Sequence, residues 1–295
     1  MTSPQPSYRD GLIAGFGAYV IWGLMPLYLR LVQGVPAGDV LGHRIAWSLL
    51  VLSLVIAATG TWRRVPEIMA NRRTLLLLFA SAVAIGVNWL VYTWAILNGH
   101  ALDTSLGYFI NPLINVVFGV ALLGERLGKL QWAAVALAAL GVAVQTIALG
   151  RLPWISLTLA LSFGLYGLFR KKAAVDGLSG LFVETLLLAP LALGWLATRP
   201  YSLADLPGWQ LAVLAASGVV TASPLLMFGR AARVLPLSTL GLLQYLSPTL
   251  VMIEAVTLFG EELSPSRLAA FGCIWAGLAL YTWSLRPVAQ VAPTR

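Results

Sequence analysis

Four ionisable side chains stand inside long apolar runs of this 295-residue chain: His43, Arg44, Glu184 and Glu254. Groups of this kind are costly to bury in hydrocarbon and ordinarily face a cavity or a partner. Arg44 has the chemistry to hold an anionic substrate group or a neighbouring carboxylate. Its bland reading is a long side chain that reaches a membrane surface and keeps its charge in water. His43 suits a proton relay, the unperturbed imidazole titrating at about 6.5, or else is a satisfied structural histidine. Glu184 is the carboxylate best suited to proton coupling; its alternative is pinning to a helix end or to Arg170. Glu254 lies near the end of its run and is expected to face headgroups or water.

Amides and aromatics supply the rest of a candidate cavity. Asn88 and Tyr92 are four residues apart, and Tyr108, Asn111 and Asn115 follow at spacings of three and four, so each set shares one face of a helix. Asparagine in such a setting either joins helices or binds substrate. Pro112 removes a backbone donor beside Asn111, and Pro248 does the same one turn after Gln244 and Tyr245. Matched breaks in corresponding helices are the sequence mark of a transporter's binding site. Tyr19, Trp22, Trp89 and Trp94 lie deep in their runs and suit either cavity walls or plain packing. Trp62, Trp132, Trp154, Trp209 and Trp283 lie near run ends, as an interfacial belt requires. The candidate substrate cavity is therefore Tyr19, Trp22, His43, Arg44, Asn88, Trp89, Tyr92, Tyr108, Asn111, Asn115, Gln244 and Tyr245, with Pro112 and Pro248 as hinges.

The elements that position these residues follow from composition. Hydrophobic residues make up 59% of the chain and charged ones 10%, against roughly 25% charged in a soluble domain. Ten apolar runs, at about 11 to 32, 39 to 59, 74 to 97, 102 to 123, 129 to 149, 153 to 170, 178 to 198, 208 to 230, 236 to 259 and 264 to 285, each approach the ~20 residues needed to cross a bilayer. Helix satisfies the backbone within each segment, so the fold class expected is an all-α polytopic membrane protein with ten transmembrane helices. Residues 1–10 and 286–295 read as cytoplasmic tails, and no cleavage site marks the first run as a removable signal. With the amino terminus inside, cytoplasmic segments hold 14 Lys and Arg residues and outer segments four. That bias puts both termini in the cytoplasm. Gly11 and Gly15 form a small-residue pair suited to close helix contact.

The chain also repeats itself. Asn111-Pro112 precedes Gly124-Glu125 as Ser247-Pro248 precedes Gly260-Glu261, with 13 residues from proline to glutamate in both. Trp22-Gly23 precedes Arg30 by the same eight residues, tryptophan to arginine, that separate Phe163-Gly164 from Lys171, phenylalanine to lysine. Two five-helix repeats result, 11–150 and 151–285. Because five is odd, the second copy is inverted, the recurrent architecture of secondary transporters. Arg44 and Glu184 then enter from opposite faces, something like 15 Å apart along the normal of a ~30 Å core. They are expected to take pseudo-symmetric roles rather than to pair.

Several strings carry a closer resemblance: Tyr19-Val-Ile-Trp22-Gly23-Leu-Met-Pro26, His43-Arg44, Asn88-Trp89, Ser105-Leu-Gly-Tyr-Phe-Ile-Asn-Pro112, Gly124-Glu-Arg-Leu127, Gln131-Trp132, Tyr166-Gly167-Leu-Phe-Arg-Lys171, Glu184-Thr185 and Gln244-Tyr-Leu-Ser-Pro-Thr249. Over nearly its whole length the chain resembles the RarD-type proteins of the EamA group, in the drug/metabolite transporter superfamily. The resemblance implies a bacterial inner-membrane permease of ten helices in two inverted halves. The family is associated by name with chloramphenicol sensitivity, which does not identify the cargo.

Other functions lack machinery. The net charge of +8 comes from cations at run ends, not from one basic face. A lone cysteine, Cys273, offers neither a disulfide framework nor a metal site. Gly124 to Lys129 has the wrong spacing for a phosphate loop, and no His-Glu-x-x-His or Gly-x-Ser-x-Gly string occurs. The expectation is a secondary transporter without cofactor or metal, moving a small organic metabolite or drug-like molecule by alternating access, with proton coupling open. Its partners are a small-molecule substrate and membrane lipids but no nucleic acid; a homodimer stays open. Two alternatives stand beside it: an intramembrane enzyme, which would bring Glu184 and His43 into one pocket, and a passive channel.

Overall fold

A computed structural model describes residues 7–123, 126–199, 206–232, 234–235, 239–240 and 243–284. Every regular element among them is helical: α1 Tyr8–Gly23, α2 Met25–Arg30, α3 Ala37–Thr59, α4 Arg64–Ala70, α5 Arg72–Leu97, α6 Ala101–Leu123, α7 Lys129–Leu149, α8 Trp154–Ala173, α9 Gly177–Ala197, α10 Gly208–Ala232, α11 Leu246–Thr257 and α12 Pro265–Ser284. Six stretches are long and apolar enough to cross a membrane: Tyr8–Arg30, Ala37–Thr59, Arg72–Leu97, Lys129–Leu149, Gly177–Ala197 and Gly208–Ala231. The apolar helix Leu246–Thr257 is shorter. Local chemistry sets several ends. Asn71 and Asp176 accept from Thr74 N–H and Ser179 N–H, both at 3.0 Å, capping α5 and α9.

Three details depart from the sequence expectation. The first run is two helices, because Pro26 has no N–H with which to continue α1 and the chain restarts at Met25. Pro112 does not break its helix: α6 is continuous from Ala101 to Leu123. A proline deletes one bond of the ladder, and the packed neighbours on either side keep the remainder, as they do around Pro190 in α9 and Pro224 in α10. In the second half the interruption is a turn at Gln244–Tyr245, and Pro248 sits in the first turn of α11, where an N–H would have no helical partner. The prolines are matched in sequence, but the breaks are not. Gly124, Glu125 and positions 236–238 and 241–242 of the ninth run lie outside the described residues.

The helices pair in a regular way. α7 lies against α12, α5 against α8, α1 against α10, α3 against both α9 and α10, and α6 against α8 and α11, with smaller contacts of α5 with α9 and α1 with α11. Exchanging α1, α3, α5, α6 and α7 with α8, α9, α10, α11 and α12 reproduces this set. The closest approach is between α7 and α12. A Cβ on Gly141 would stand 2.9 Å from the Ala270 carbonyl oxygen, and one on Gly277 would stand 2.8 Å from the Ala134 carbonyl oxygen. The early residue of each helix meets the late residue of the other, so the two run antiparallel. Ala134 and Ala270 are 136 residues apart, as are Gly141 and Gly277, and Pro112 and Pro248. Cys273 packs at the same crossing, and Gly11 and Gly15 meet Leu235 and Ala231 beyond the end of α10 and within it.

Between the halves, α6 begins on a residue of the other half. Ala101 N–H and Leu102 N–H donate to the Glu261 carboxylate at 2.6 and 3.0 Å. Ser105 Oγ donates to the Pro248 carbonyl at 2.8 Å. The repeated Gly-Glu pair therefore has, in its second copy, a capping role at the start of α6.

Gly141→Ala and Gly277→Ala are each expected to lower thermal stability in detergent, by about 1–3 kcal/mol as overpacking does. Gly272→Ala, at a position with nothing within 4 Å, is expected to be neutral. Glu261 lies between α11 and α12, and burial pushes its carboxyl above the ordinary 4.5 despite the opposing pull of the Leu102 and Ala101 N–H donors. Its protonated form favours the fold, so this contribution is present below pH 4.5 and is lost as pH rises through the shifted value. Thermal unfolding scanned against pH should lose that component in Glu261→Gln, while Glu261→Ala, lacking the cap, should be weaker throughout.

Candidate functional site

Arg44 sits two turns into α3 and is 5% exposed, so it does not reach for the membrane surface. Gly218 of α10 lies against the Trp47 backbone, where a side chain would collide, and this lets α10 press onto α3. Thr221, one turn on, then meets Arg44: Nε donates to Thr221 Oγ1 at 2.7 Å. On another side the guanidinium lies 4.6 Å from the centre of the Trp89 ring, a cation–π contact. Nη1 is buried with no partner among the described residues. Tyr28, Tyr92 and Tyr108 complete its electrostatic surroundings.

Asn88 has a different character. It is fully buried, donates to the Leu159 carbonyl and to Ser162 Oγ, both at 3.1 Å, and accepts from Tyr108 O–H at 2.9 Å. Every direction is used, and α5, α6 and α8 are joined through one amide. Tyr92 packs on Tyr108 with ring centres 5.8 Å apart. Asn111 is buried with Oδ1 unpartnered, whereas Asn115, one turn further, is exposed. His43 is buried beside Arg44, one turn from Asp39.

Glu184 lies elsewhere. Its Oε1 accepts from Ser81 Oγ at 2.6 Å and stands 3.7 Å from Arg170 Nε, while Oε2 has no partner. Arg44 and Glu184 thus do not pair. Each reaches from the second long helix of one half to a hydroxyl on the third of the other: α3 to Thr221 on α10, and α9 to Ser81 on α5.

Glu254 overturns its expectation. It is 5% exposed, and neither carboxylate oxygen has a partner among the described residues. The α11 segment that carries it is covered by α6 and α1, and Tyr92 of α5 lies within its electrostatic reach. Proximity to a run's end does not expose a residue whose helix end is overlaid by its neighbours.

The remaining aromatics divide. Tyr19 and Trp22 pack on each other and on Phe228 of α10, with centres 5.3 to 6.1 Å apart. Gln244 and Tyr245 are half-buried, and Tyr245 stacks on Phe109. That stack borders an open recess of about 510 Å³, lined also by Thr249, Trp275 and Trp283; no member of the Arg44 group lines it. Trp94 is part-exposed between His100 and Trp154, and the five belt tryptophans are all exposed.

Four participants escaped sequence reasoning. Asp39, fully buried, accepts from Trp195 Nε1 at 2.7 Å and from Arg199 Nε at 2.6 Å, locking the start of α3 to the end of α9. Ser81, Thr221 and Glu261 supply the cross-half contacts. A signal existed for the serine: Ser81 and Ser217 stand 136 residues apart, and both are buried.

The EamA-like transporter family matches residues 9–147 and again 152–283. The chain belongs to that family. Within it, the RarD type is identified by relatives covering nearly the full length. A protein of Pseudomonas aeruginosa described as an uncharacterized transporter is 51% identical over 96% of this chain and 97% of that protein. Protein RarD of Streptomyces exfoliatus is 45% identical, covering 97% of this chain and 92% of its own length. Protein RarD of Escherichia coli is 42% identical over 92% and 94%. One solved crystal structure, at 19% identity, shares the fold with a TM-score of 0.62 over 96% of this chain and 100% of that one. This RarD-type chain is a multi-pass bacterial membrane protein of a transporter family.

The two asparagine and arginine sites should respond oppositely to mutation. Asn88→Ala removes an amide whose bonds are all made and should cost about 1–3 kcal/mol. Arg44→Met removes a buried charge with an unfilled donor and should leave thermal stability equal or higher. A comparison of melting temperatures in detergent checks both.

Proposed function

We propose that this RarD-type protein is a secondary transporter that carries a small organic molecule across the bacterial inner membrane by alternating access. In this reading the chain crosses the bilayer ten times as two inverted five-helix halves, 11–150 and 151–285, with both termini cytoplasmic. An in-plane two-fold relation requires each helix that meets its own counterpart to meet it antiparallel. The Gly141–Ala270 and Gly277–Ala134 contacts have that direction. So does the α6 and α11 pair, where Ala101 lies by Glu261 and Phe109 by Tyr245.

The observation that carries the substrate site is the unfilled hydrogen-bonding capacity around Arg44. Nη1 of Arg44, Oγ1 of Thr93, Oδ1 of Asn111 and both oxygens of Glu254 are buried without partners among the described residues. Buried polar atoms are satisfied as a rule, and exceptions call for a ligand, water or a functional role. Arg44 is held from two sides by Thr221 and Trp89, which leaves Nη1 preorganised for an anionic or strongly polar group of the cargo. Glu184 is proposed as the proton-coupling carboxylate, because its Oε2 is free and Ser81 and Arg170 hold only the other side.

Proteoliposomes loaded with a panel of amino acids, metabolites and amphenicols, with and without a pH gradient, test this reading. Wild type should move at least one member, and faster with the gradient. Arg44→Met should abolish that movement while the protein stays folded. Glu184→Gln should keep exchange but lose the response to the gradient. Absence of any transport by correctly folded protein would reject the site, and a gradient response surviving in Glu184→Gln would reject its coupling role. Single cysteines placed at positions 33 and 150 on a Cys273→Ser background should react with impermeant maleimide from outside intact cells, whereas one at 67 should not.

A further inference from the structure

Outside the Arg44 region, a second concavity of about 600 Å³ opens where the first turn of α5 meets the last turn of α8. It is lined by Arg72, Arg73, Leu76, Leu77 and Lys172. All three cations are exposed, and among the described residues none takes part in an ion pair or a side-chain hydrogen bond. The nearby acidic group Asp176 is engaged by Arg64 at 3.4 Å and by its own helix cap. Three positive charges thus converge on one groove without compensation, at the end of a helix whose N-terminal dipole also favours an anion.

A second observation gives the ligand a tail. From Arg72 the exposed side chains of α5 continue as Leu76, Phe79, Val83, Val87 and Leu90 at alternating helical spacings. Residues between them, including Ser81, Ile85 and Asn88, face inward and are buried. One strip of the helix is therefore lipid-facing along its length and ends in a three-cation pocket. A free anion would use the cations and ignore the strip; a phospholipid uses both.

We propose that this groove is a binding site for one anionic phospholipid, with the phosphate and headgroup held by Arg72, Arg73 and Lys172 and an acyl chain lying along Leu76 and Phe79. Basic pockets between helices at a membrane surface recognise anionic headgroups by this chemistry. The inference needs the chain to be embedded in a bilayer, not that it transports anything.

Native mass spectrometry of the full chain in mild detergent tests it, with phosphatidylglycerol and phosphatidylcholine of identical acyl chains as probes. Wild type should retain phosphatidylglycerol over phosphatidylcholine. The triple variant R72Q/R73Q/K172Q should bind phosphatidylglycerol at least ~5-fold more weakly, while R151Q, which removes a cation from another surface, should behave as wild type. The single variant R73Q, which keeps two of the cations, should fall between and guards against a folding defect in the triple one. Equal retention by wild type and variants, or equal retention of the two lipids, would overturn the site. Displacement of the lipid by inorganic phosphate at matched concentration would overturn the lipid as its occupant.

Discussion

Everything in this molecule is arranged about one antiparallel crossing. Ala134 and Gly141 of α7 meet Gly277 and Ala270 of α12 with carbonyl oxygens less than 3 Å from where a glycine side chain would begin. Apolar surface alone brings no preference for one helix partner over another in hydrocarbon, since lipid tails are equally apolar. Close backbone approach does supply a preference, through packing. The same two residue types recur 136 positions apart, so a single solution is used twice and the other pairings follow in exchanged pairs.

Within that frame, polar groups fall into two populations. Asn88, Asp39 and Glu261 have their bonds made by helices they hold together. Arg44, Asn111 and Glu254 are equally buried but have atoms left over. The first population explains why helices with little amphipathic contrast pack in one register. The second occupies the seam between halves, where α3 meets α10 and α6 meets α11. Stability and function therefore draw on the same chemistry, separated by whether the bond is closed internally.

Much of this was legible along the chain. Run length is a one-dimensional property, so helix positions follow from hydropathy, and the Pro and Gly-Glu spacings exposed the repeat before any contact was known. Arg44 stood out because a guanidinium within an apolar run has few places to go. Legibility ended where burial depends on a neighbour from far away. Glu254 looked terminal and proved covered by α6 and α1. The Asp39–Arg199 bond links residues 160 apart, with no local pattern to announce it. The matched prolines pointed to two breaks, but whether a helix yields at a proline depends on the packing around it: α6 holds across Pro112, while the second half turns earlier, at Gln244–Tyr245.

The cap on α6 has an implication for biogenesis. Ala101 and Leu102 receive their acceptor from a glutamate 160 and 159 residues downstream. A ribosome delivers α6 long before it delivers Glu261, so the nascent first half waits in the membrane with the amide end of a helix open. Only the arrival of the turn before α12 closes it. The last part of the chain to emerge thus completes the first half as well as itself, and the two halves mature together rather than in turn.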